Sequence, residues 1–221
     1  MALRPVFISD PLKKDYIDIA NIEFKWFSGF SKTQKQKSIE SLHQNFLHTY
    51  NSEKILEISS KSPNPLGVSL SAFNLMLNLD EHSIYSVESI FQSSKIFENG
   101  GPYIDLLYKS SKEAKSDIRL KTSGKLLYFQ HKNTKWPLEP KTAFYDWLYL
   151  NALSNNTDLM NNLINYTAFT DIEFNPKKSI NCQAKSAALF ISLYKLNLLD
   201  FALTSMENFI DTLKRNKKTL T

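Results

Sequence analysis

Val87-Glu88-Ser89-Ile90-Phe91-Gln92-Ser93-Ser94-Lys95 reads as a helix, in a chain whose other apolar periodicities are mostly helical as well. Ser86 just ahead of it is a good N-cap, because its hydroxyl can accept from a free N–H of the first turn. Glu98-Asn99-Gly100-Gly101-Pro102 is the stop signal: Asn and Gly tolerate the left-handed backbone, and Pro blocks continuation. A helix of this extent sets Glu88, Phe91, Gln92 and Lys95 at i, i+3, i+4 and i+7, one stripe carrying a carboxylate, an aromatic ring, an amide and an amine. A rise of about 1.5 Å per residue separates Glu88 from Lys95 by roughly 10 Å along the axis, with the lysine leaning back toward the N-terminus. That is too far for an ordinary ion pair and leaves room for a bound molecule. On pattern alone a structural reading is favoured, with Glu88 complementing the positive helix end, Phe91 in the core and Lys95 in solvent.

Outward from this segment, Arg4 to Ser9 and Lys54 to Ser59 have the length and flanking residues of short strands, with Glu23 to Phe27 a third candidate. Lys35 to Tyr50 follows the turn-prone Ser28-Gly29-Phe30-Ser31 and spaces Ile39, Leu42, Phe46 and Tyr50 as one helical stripe. Ser60 to Pro65 is a loop. Further helices are expected over Ile104–Ala114, Thr142–Leu153, Asp158–Tyr166, Cys182–Leu196 and Leu199–Leu213. The fold class is therefore α+β, predominantly α-helical, with a small β component. At 221 residues and 42% hydrophobic content the chain suits one compact domain over 1–221.

Composition excludes several classes of function. The apolar run at the start is cut short by Asp10 and Pro11, so a signal peptide is not expected, and Ser192, Tyr194, Lys195 and Asp200 interrupt the longest apolar stretches, which argues against a membrane role. The lone Cys182 cannot form an internal disulfide and suits a reducing compartment, with the cytoplasm as default. With 5 glycines there is no dinucleotide or P-loop fingerprint, and His43, His48, His82 and His131 lack metal-ligand spacing, so neither metal nor cofactor is expected. A net charge of +5 favours approach to phosphates without establishing nucleic-acid binding. The basic runs at Lys32 to Lys37 and Lys214 to Lys218 read first as solvated faces.

The Val87–Lys95 segment resembles the Glu-x-x-Phe-Gln-x-x-Lys signature of the NADAR family, and Leu70-Ser71-Ala72-Phe73-Asn74 is similar to its upstream Leu-Ser-Asn-Phe element. Thr170-Asp171-Ile172-Glu173, followed by Ser179-Ile180-Asn181-Cys182-Gln183-Ala184-Lys185-Ser186, is similar to its late Asp-and-Asn element, although the usual Trp-Gly-Asp is replaced by Phe169-Thr170-Asp171. Gly29-Phe30-Ser31, Glu57 to Ser62, Gly100 to Tyr103, Trp136 to Trp147 and Phe169 to Pro176 together look most like the NADAR antitoxins paired with DarT-type toxins. The resemblance implies an N-glycoside hydrolase that removes ADP-ribose from guanine bases of DNA. It further implies ADP-ribosylated DNA as substrate, ADP-ribose as product and a cognate DarT-type toxin as partner.

The resemblance assigns Glu88 to ring opening and proton transfer and a lysine to a Schiff base with the opened ribose, chemistry that an amine of lowered pKa performs well. Lys95 holds the signature position and Lys61, in the Ser59–Ser62 loop, is its competitor. Asp171 would orient ribose or water, against ordinary turn hydrogen bonding. Ser60, Phe73, Asn74, Phe91 and Gln92 are expected to contact substrate. Asn181 is expected to cap the next helix, either merely as a cap or in support of a pyrophosphate. Among Phe144, Tyr145 and Trp147 only Trp147 is kept as a base-stacking candidate, and Cys182 is read as a small buried hydrophobe. Two rivals share the pattern: an N-glycosidase of small riboflavin-pathway intermediates, and a non-catalytic antitoxin that binds its toxin.

Overall fold

The computed structural model describes residues 1–218 other than 52 and 178, and of 216–218 only the backbone, so part of the basic tail lies outside the described residues. The chain runs β1 (Ala2–Ser9), β2 (Ile17–Phe24), α1 (Lys32–Thr49), β3 (Ile55–Glu57), α2 (Pro65–Ser69), β4 (Met76–Asp80), β5 (Ser83–Ser86), α3 (Val87–Ser93) and β6 (Lys95–Phe97). After a 3-10 turn at Ile104–Tyr108 come α4 (Ser111–Ser116), α5 (Arg119–Thr122), β7 (Leu126–His131), β8 (Thr134–Trp136), α6 (Ala143–Ser154), α7 (Thr157–Leu163), β9 (Ala168–Thr170), α8 (Gln183–Lys195), α9 (Leu199–Leu203) and α10 (Met206–Lys218). The architecture is α+β and mainly helical, as expected from the sequence.

The main sheet has the order β2-β1-β9-β3, with β1 antiparallel to both neighbours and β3 parallel to β9. Alternation along β1 separates two cores. Val6 and Ile8 join Phe24 against Ile39, Leu42 and Phe46 of α1, whose N-cap Ser31 accepts from the Gln34 backbone N–H. Phe7 faces the other way, into the larger core with Phe169, Leu56 and the apolar residues of α6 and α8. Both of those helices are buried over most of their circumference, which explains why their sequences are apolar nearly all round. Among the described residues no helix is long and apolar enough to cross a membrane.

The structure corrects several boundaries. The helix starting after Ser86 ends at Ser93, not at Glu98, and Lys95 opens β6, paired with Phe129 of β7. The Ser93 and Ser94 hydroxyls both donate to the Ile90 carbonyl, at 3.0 and 2.8 Å, closing the last turn with side-chain bonds that compete with helical continuation. Ile96 and Phe97 then suit an extended strand. The expected Ile104–Ala114 helix breaks where Ser110 and Glu113 form a capping box for α4, and the expected Leu199–Leu213 helix divides into α9 and α10. β4 to β9 are not expected from the sequence, because three- to six-residue strands give too few alternations to register as a period, and β2 covers Ile17–Phe24, sharing only Glu23 and Phe24 with the expected Glu23–Phe27 strand.

Gly67, in α2, sits where the chain leaving β3 turns back. A Cβ there would lie 1.9 Å from the Glu57 carbonyl oxygen and 2.5 Å from Ser62 Oγ, so only glycine allows the approach. Gly67→Ala is expected to cost about 1–3 kcal/mol, from overpacking against a fixed backbone atom, read as a lower urea midpoint.

Candidate active site

A cleft of about 580 Å³ opens between α3 and the loop that follows β9. Its walls are Glu88, Phe91 and Gln92 of α3, Lys95 of β6, Lys115 of α4, Tyr145 of α6, Ser59 and Ser60 after β3, Ser71 and Phe73 before β4, Asp171 and Glu173 to Asn175, and Ser179, Asn181 and Gln183 leading into α8. These side chains come from several helices, a strand and the loops between them, and the placement of α3 brings them together.

Each of the seven residues of α3 is buried. Its first turn is fixed by backbone bonds from Val87 N–H to the Leu75 carbonyl, 2.9 Å, and from Glu88 N–H to the Ala72 carbonyl, 3.0 Å. The Ser86 hydroxyl accepts from the Ser89 N–H, as the sequence led us to expect. Gln183 braces the same region from α8: its carbonyl oxygen accepts from Ala72 N–H at 2.8 Å, and its amide donates to the Ile58 carbonyl at 2.7 Å. One side chain thus ties the Ser59 and Ala72 loops to the start of α8.

Glu88 is only 4% exposed, and a carboxylate so placed needs compensation. Gln92 Nε2 donates to Glu88 Oε1 at 2.8 Å, and the Lys115 ammonium stands 3.6 Å from the same oxygen. On the far side of the amide, Lys95 Nζ donates to Gln92 Oε1 at 2.7 Å. The two charged groups are therefore joined through a neutral amide, an arrangement reached because Lys95 lies on a strand and its side chain returns along the Phe91 ring, with Nζ 4.8 Å from the centroid. Burial pulls the lysine down to about 8, an effect opposed by the Glu88 charge and aided by Lys115. At neutral pH an appreciable minority of the amine is free.

The opposite wall rests on a second buried carboxyl group. Glu57, at the end of β3, accepts from the Ile172 N–H at 2.8 Å and from the Thr170 hydroxyl at 2.5 Å. Since that hydroxyl donates its proton to Glu57, His43 Nε2, 2.8 Å away, must be the donor to Thr170 Oγ1. Burial holds His43 down, to about 4, so the ring is neutral, and it pushes Glu57 upward. Asp171 accepts through Oδ1 from the N–H groups of Glu173 and Phe174, at 3.0 and 3.2 Å, a tight turn that presents the carboxyl group to the cleft. Burial, with the Glu57 charge behind it, raises Asp171 to about 8. Lys35 Nζ pairs with Glu173 at 3.1 Å and fastens this loop to α1.

Of the residues singled out in the sequence, Glu88, Phe91, Gln92, Lys95, Asp171, Ser60, Phe73 and Asn181 meet in the cleft. Lys61, Asn74 and Trp147 do not line it. Lys61 is half-buried in its loop, where its backbone N–H donates to Ser59 Oγ. Asn74 is exposed, and its amide donates to the Val68 carbonyl at 2.8 Å. Trp147 packs against Trp136, 5.0 Å between ring centroids, and against His131. Asn181 is not the cap of α8: Cys182 takes that position without a side-chain bond, while the Asn181 carbonyl accepts from Ser179 Oγ. Cys182 is buried and its thiol is pushed well up by burial, consistent with a packing role.

Lys115, Tyr145 and Gln183 are among the cleft residues that sequence reasoning did not assign. Lys115 looks like any solvated helix lysine until α4 is seen packed on α3, and Tyr145 stood in an aromatic run that reads as core. Gln183, a polar residue in the first turn of a helix that is otherwise largely apolar, was the available signal for a buried polar clamp.

The fold and the cleft define an α+β protein whose buried carboxylate, amide and amine face a second carboxyl group across one pocket. The family model of the DarT1-associated NADAR antitoxin matches residues 2–221, and the chain belongs to that family. No curated protein matches the chain.

Because Asp171 has a higher pKa folded than its ordinary 3.8, the native state holds a proton that the unfolded chain releases, and stability falls as pH rises from about 4 through about 8. Asp171→Asn retains the acceptor oxygen of the turn and lacks the ionisation. It is expected to be more stable than the native chain by about 1 kcal/mol or more at pH 8 and nearly equal at pH 4, measured by urea unfolding at both.

Proposed function

We propose that this protein removes ADP-ribose from guanine bases of DNA and thereby reverses the modification made by a DarT-type toxin. The observation that carries the reading is the Glu88–Gln92–Lys95 chain inside one cleft: an acid and a partly free amine held within reach of a single sugar. Membership of the DarT1-associated antitoxin family supports the toxin as the counterpart in the cell.

In this mechanism Glu88 manages the proton transfers that open the ribose ring, and Lys95 Nζ bonds to the anomeric carbon. The bond from that carbon to guanine breaks, guanine leaves with a proton, and the lysine is left as a Schiff base of the opened ribose. One water then hydrolyses the Schiff base, giving free ADP-ribose and regenerating the amine. The balance is that of a simple hydrolysis, with no metal or redox partner. Asp171, protonated for the most part near neutrality, serves as a hydrogen-bond donor to a ribose hydroxyl or to the incoming water. Lys115, at the mouth with its side chain 58% exposed, is the natural counterion for the diphosphate, and its ammonium 5.1 Å from the Phe73 ring centroid brings a flat apolar face beside that charge.

The test is incubation of guanine-ADP-ribosylated DNA with the protein in chelator, followed by assay of free ADP-ribose. Release is expected from the native chain, and Glu88→Gln is expected to lower it by about 10²–10⁴-fold. Borohydride should trap an adduct in the native chain and in Lys61→Ala, and none in Lys95→Ala. No release by the native chain overturns the reading; release with an adduct lost only in Lys61→Ala moves the chemistry to the loop lysine. Neutralisation of the toxin by Glu88→Gln as fully as by the native chain would favour a binding antitoxin.

A further inference from the structure

The proposal above gives Gln92 no chemical task, and the geometry of its side chain supplies one. Gln92 lies between the Glu88 carboxylate and the Lys95 amine, two groups of opposite charge on one cleft wall. Its Nε2 donates to Glu88 Oε1 and its Oε1 accepts from Lys95 Nζ, so both ends of a single amide are used, at 2.8 and 2.7 Å. Only a carboxamide offers one donor end and one acceptor end on a rigid, neutral plane, and glutamine carries it one methylene further from the backbone than asparagine. Gln92 is itself 6% exposed and cannot turn outward without giving up both bonds.

We propose that Gln92 is a positioning residue that keeps the Lys95 amine and the Glu88 carboxylate apart, preventing the closed ion pair that would otherwise form between them and leaving each free to act. A lysine bonded directly to a buried carboxylate is held as the ammonium, which is not a nucleophile. An amide in between supplies the hydrogen bond that fixes the amine while transmitting only part of the charge. The inference rests on the role given to Lys95, but concerns the free protein.

The other charged and titratable groups around Lys95 do not substitute for this spacer. Lys115 approaches from α4 and pairs with Glu88, reducing the negative charge that the amine meets. Tyr145 of α6 and Asp171 and Glu173 of the facing loop share the cleft, and none of them bonds to Lys95 among the described residues. On the strand side β7 sets Phe129 opposite Lys95, with no charge there.

The measurement is competitive labelling of the whole protein with trace acetic anhydride across pH 6 to 11, reading acetylation of Lys95 by peptide mass spectrometry. In the native chain the labelling midpoint is expected near 8. Gln92→Met, of similar length and without donor or acceptor, should let the amine close on Glu88 and slow labelling of Lys95 at pH 8 by about threefold or more. Gln92→Glu builds an ion pair at the same place and should slow it by about tenfold or more. Labelling of exposed lysines is the internal reference, and the urea midpoint establishes that each variant is folded. A midpoint unmoved or lowered in folded Gln92→Met overturns the proposal. If that variant does not fold, an unmoved midpoint in Gln92→Glu does so. Because no substrate is present, a free Lys95 amine in a protein that releases no ADP-ribose would sink the proposed function and leave this inference standing.

Discussion

The site depends on burying a seven-residue helix that carries a carboxylate. An isolated helix of this length would not persist in water, so α3 exists only because its surroundings hold it. The loop before β4 takes its first two N–H groups, Ser86 caps it, and Phe91 is wedged among Phe129, Phe144 and Tyr145. Once α3 is inside, Glu88 must be satisfied there, and Gln92 and Lys115 are what satisfy it. The polar chain leading to Lys95 follows from that requirement, so the same bonds that satisfy the buried carboxylate also set the geometry of the cleft wall.

The two walls of the cleft manage charge by opposite means. On the α3 side an acidic and a basic group share one neutral amide. On the β9 side two carboxyl groups, Glu57 and Asp171, stand near each other with no cation bonded to either among the described residues, and the low polarity there raises both. Backbone N–H groups and the Thr170 hydroxyl, backed by neutral His43, take the place of a counterion. The cleft therefore has a carboxyl group of raised pKa at Asp171 on one side and a carboxylate and an amine of lowered pKa on the other. Gln183 links the walls, since its amide bonds reach both the Ile58 and the Ala72 backbone.

Much of this was legible in the sequence where local rules are strong. Ser86 as a cap, the Ile39–Leu42–Phe46 stripe and the apolar runs of α6 and α8 all follow from period and capping chemistry. What failed did so for physical reasons. The pair Ser93-Ser94 ends α3 by bonding to the Ile90 carbonyl, a choice that depends on β7 being present to receive β6. The ends of the site contributed by Lys115 and Gln183 depend on tertiary packing, which no spacing encodes. Trp147 shows the converse: an aromatic residue in a suggestive run became packing for Trp136 and His131 because α6 is enclosed on that side.

The break at Ser93 also changes what the signature spacing means. In a continuous helix, i to i+7 would place Glu88 and Lys95 two turns apart, each approaching a ligand from its own level. With Lys95 moved to β6, its backbone takes part in the sheet, opposite Phe129, while its side chain runs back over the Phe91 ring to the level of Gln92. A strand anchors the lysine backbone more firmly than a fraying last helical turn would, and the aromatic ring beneath it removes water from the stem. The spacing therefore encodes a helix, a stop and a return, and the amine is lowered in pKa by the burial that the return produces. A lysine left at the end of a longer helix would have remained in solvent, with the ordinary proton affinity that makes it a poor nucleophile near neutral pH.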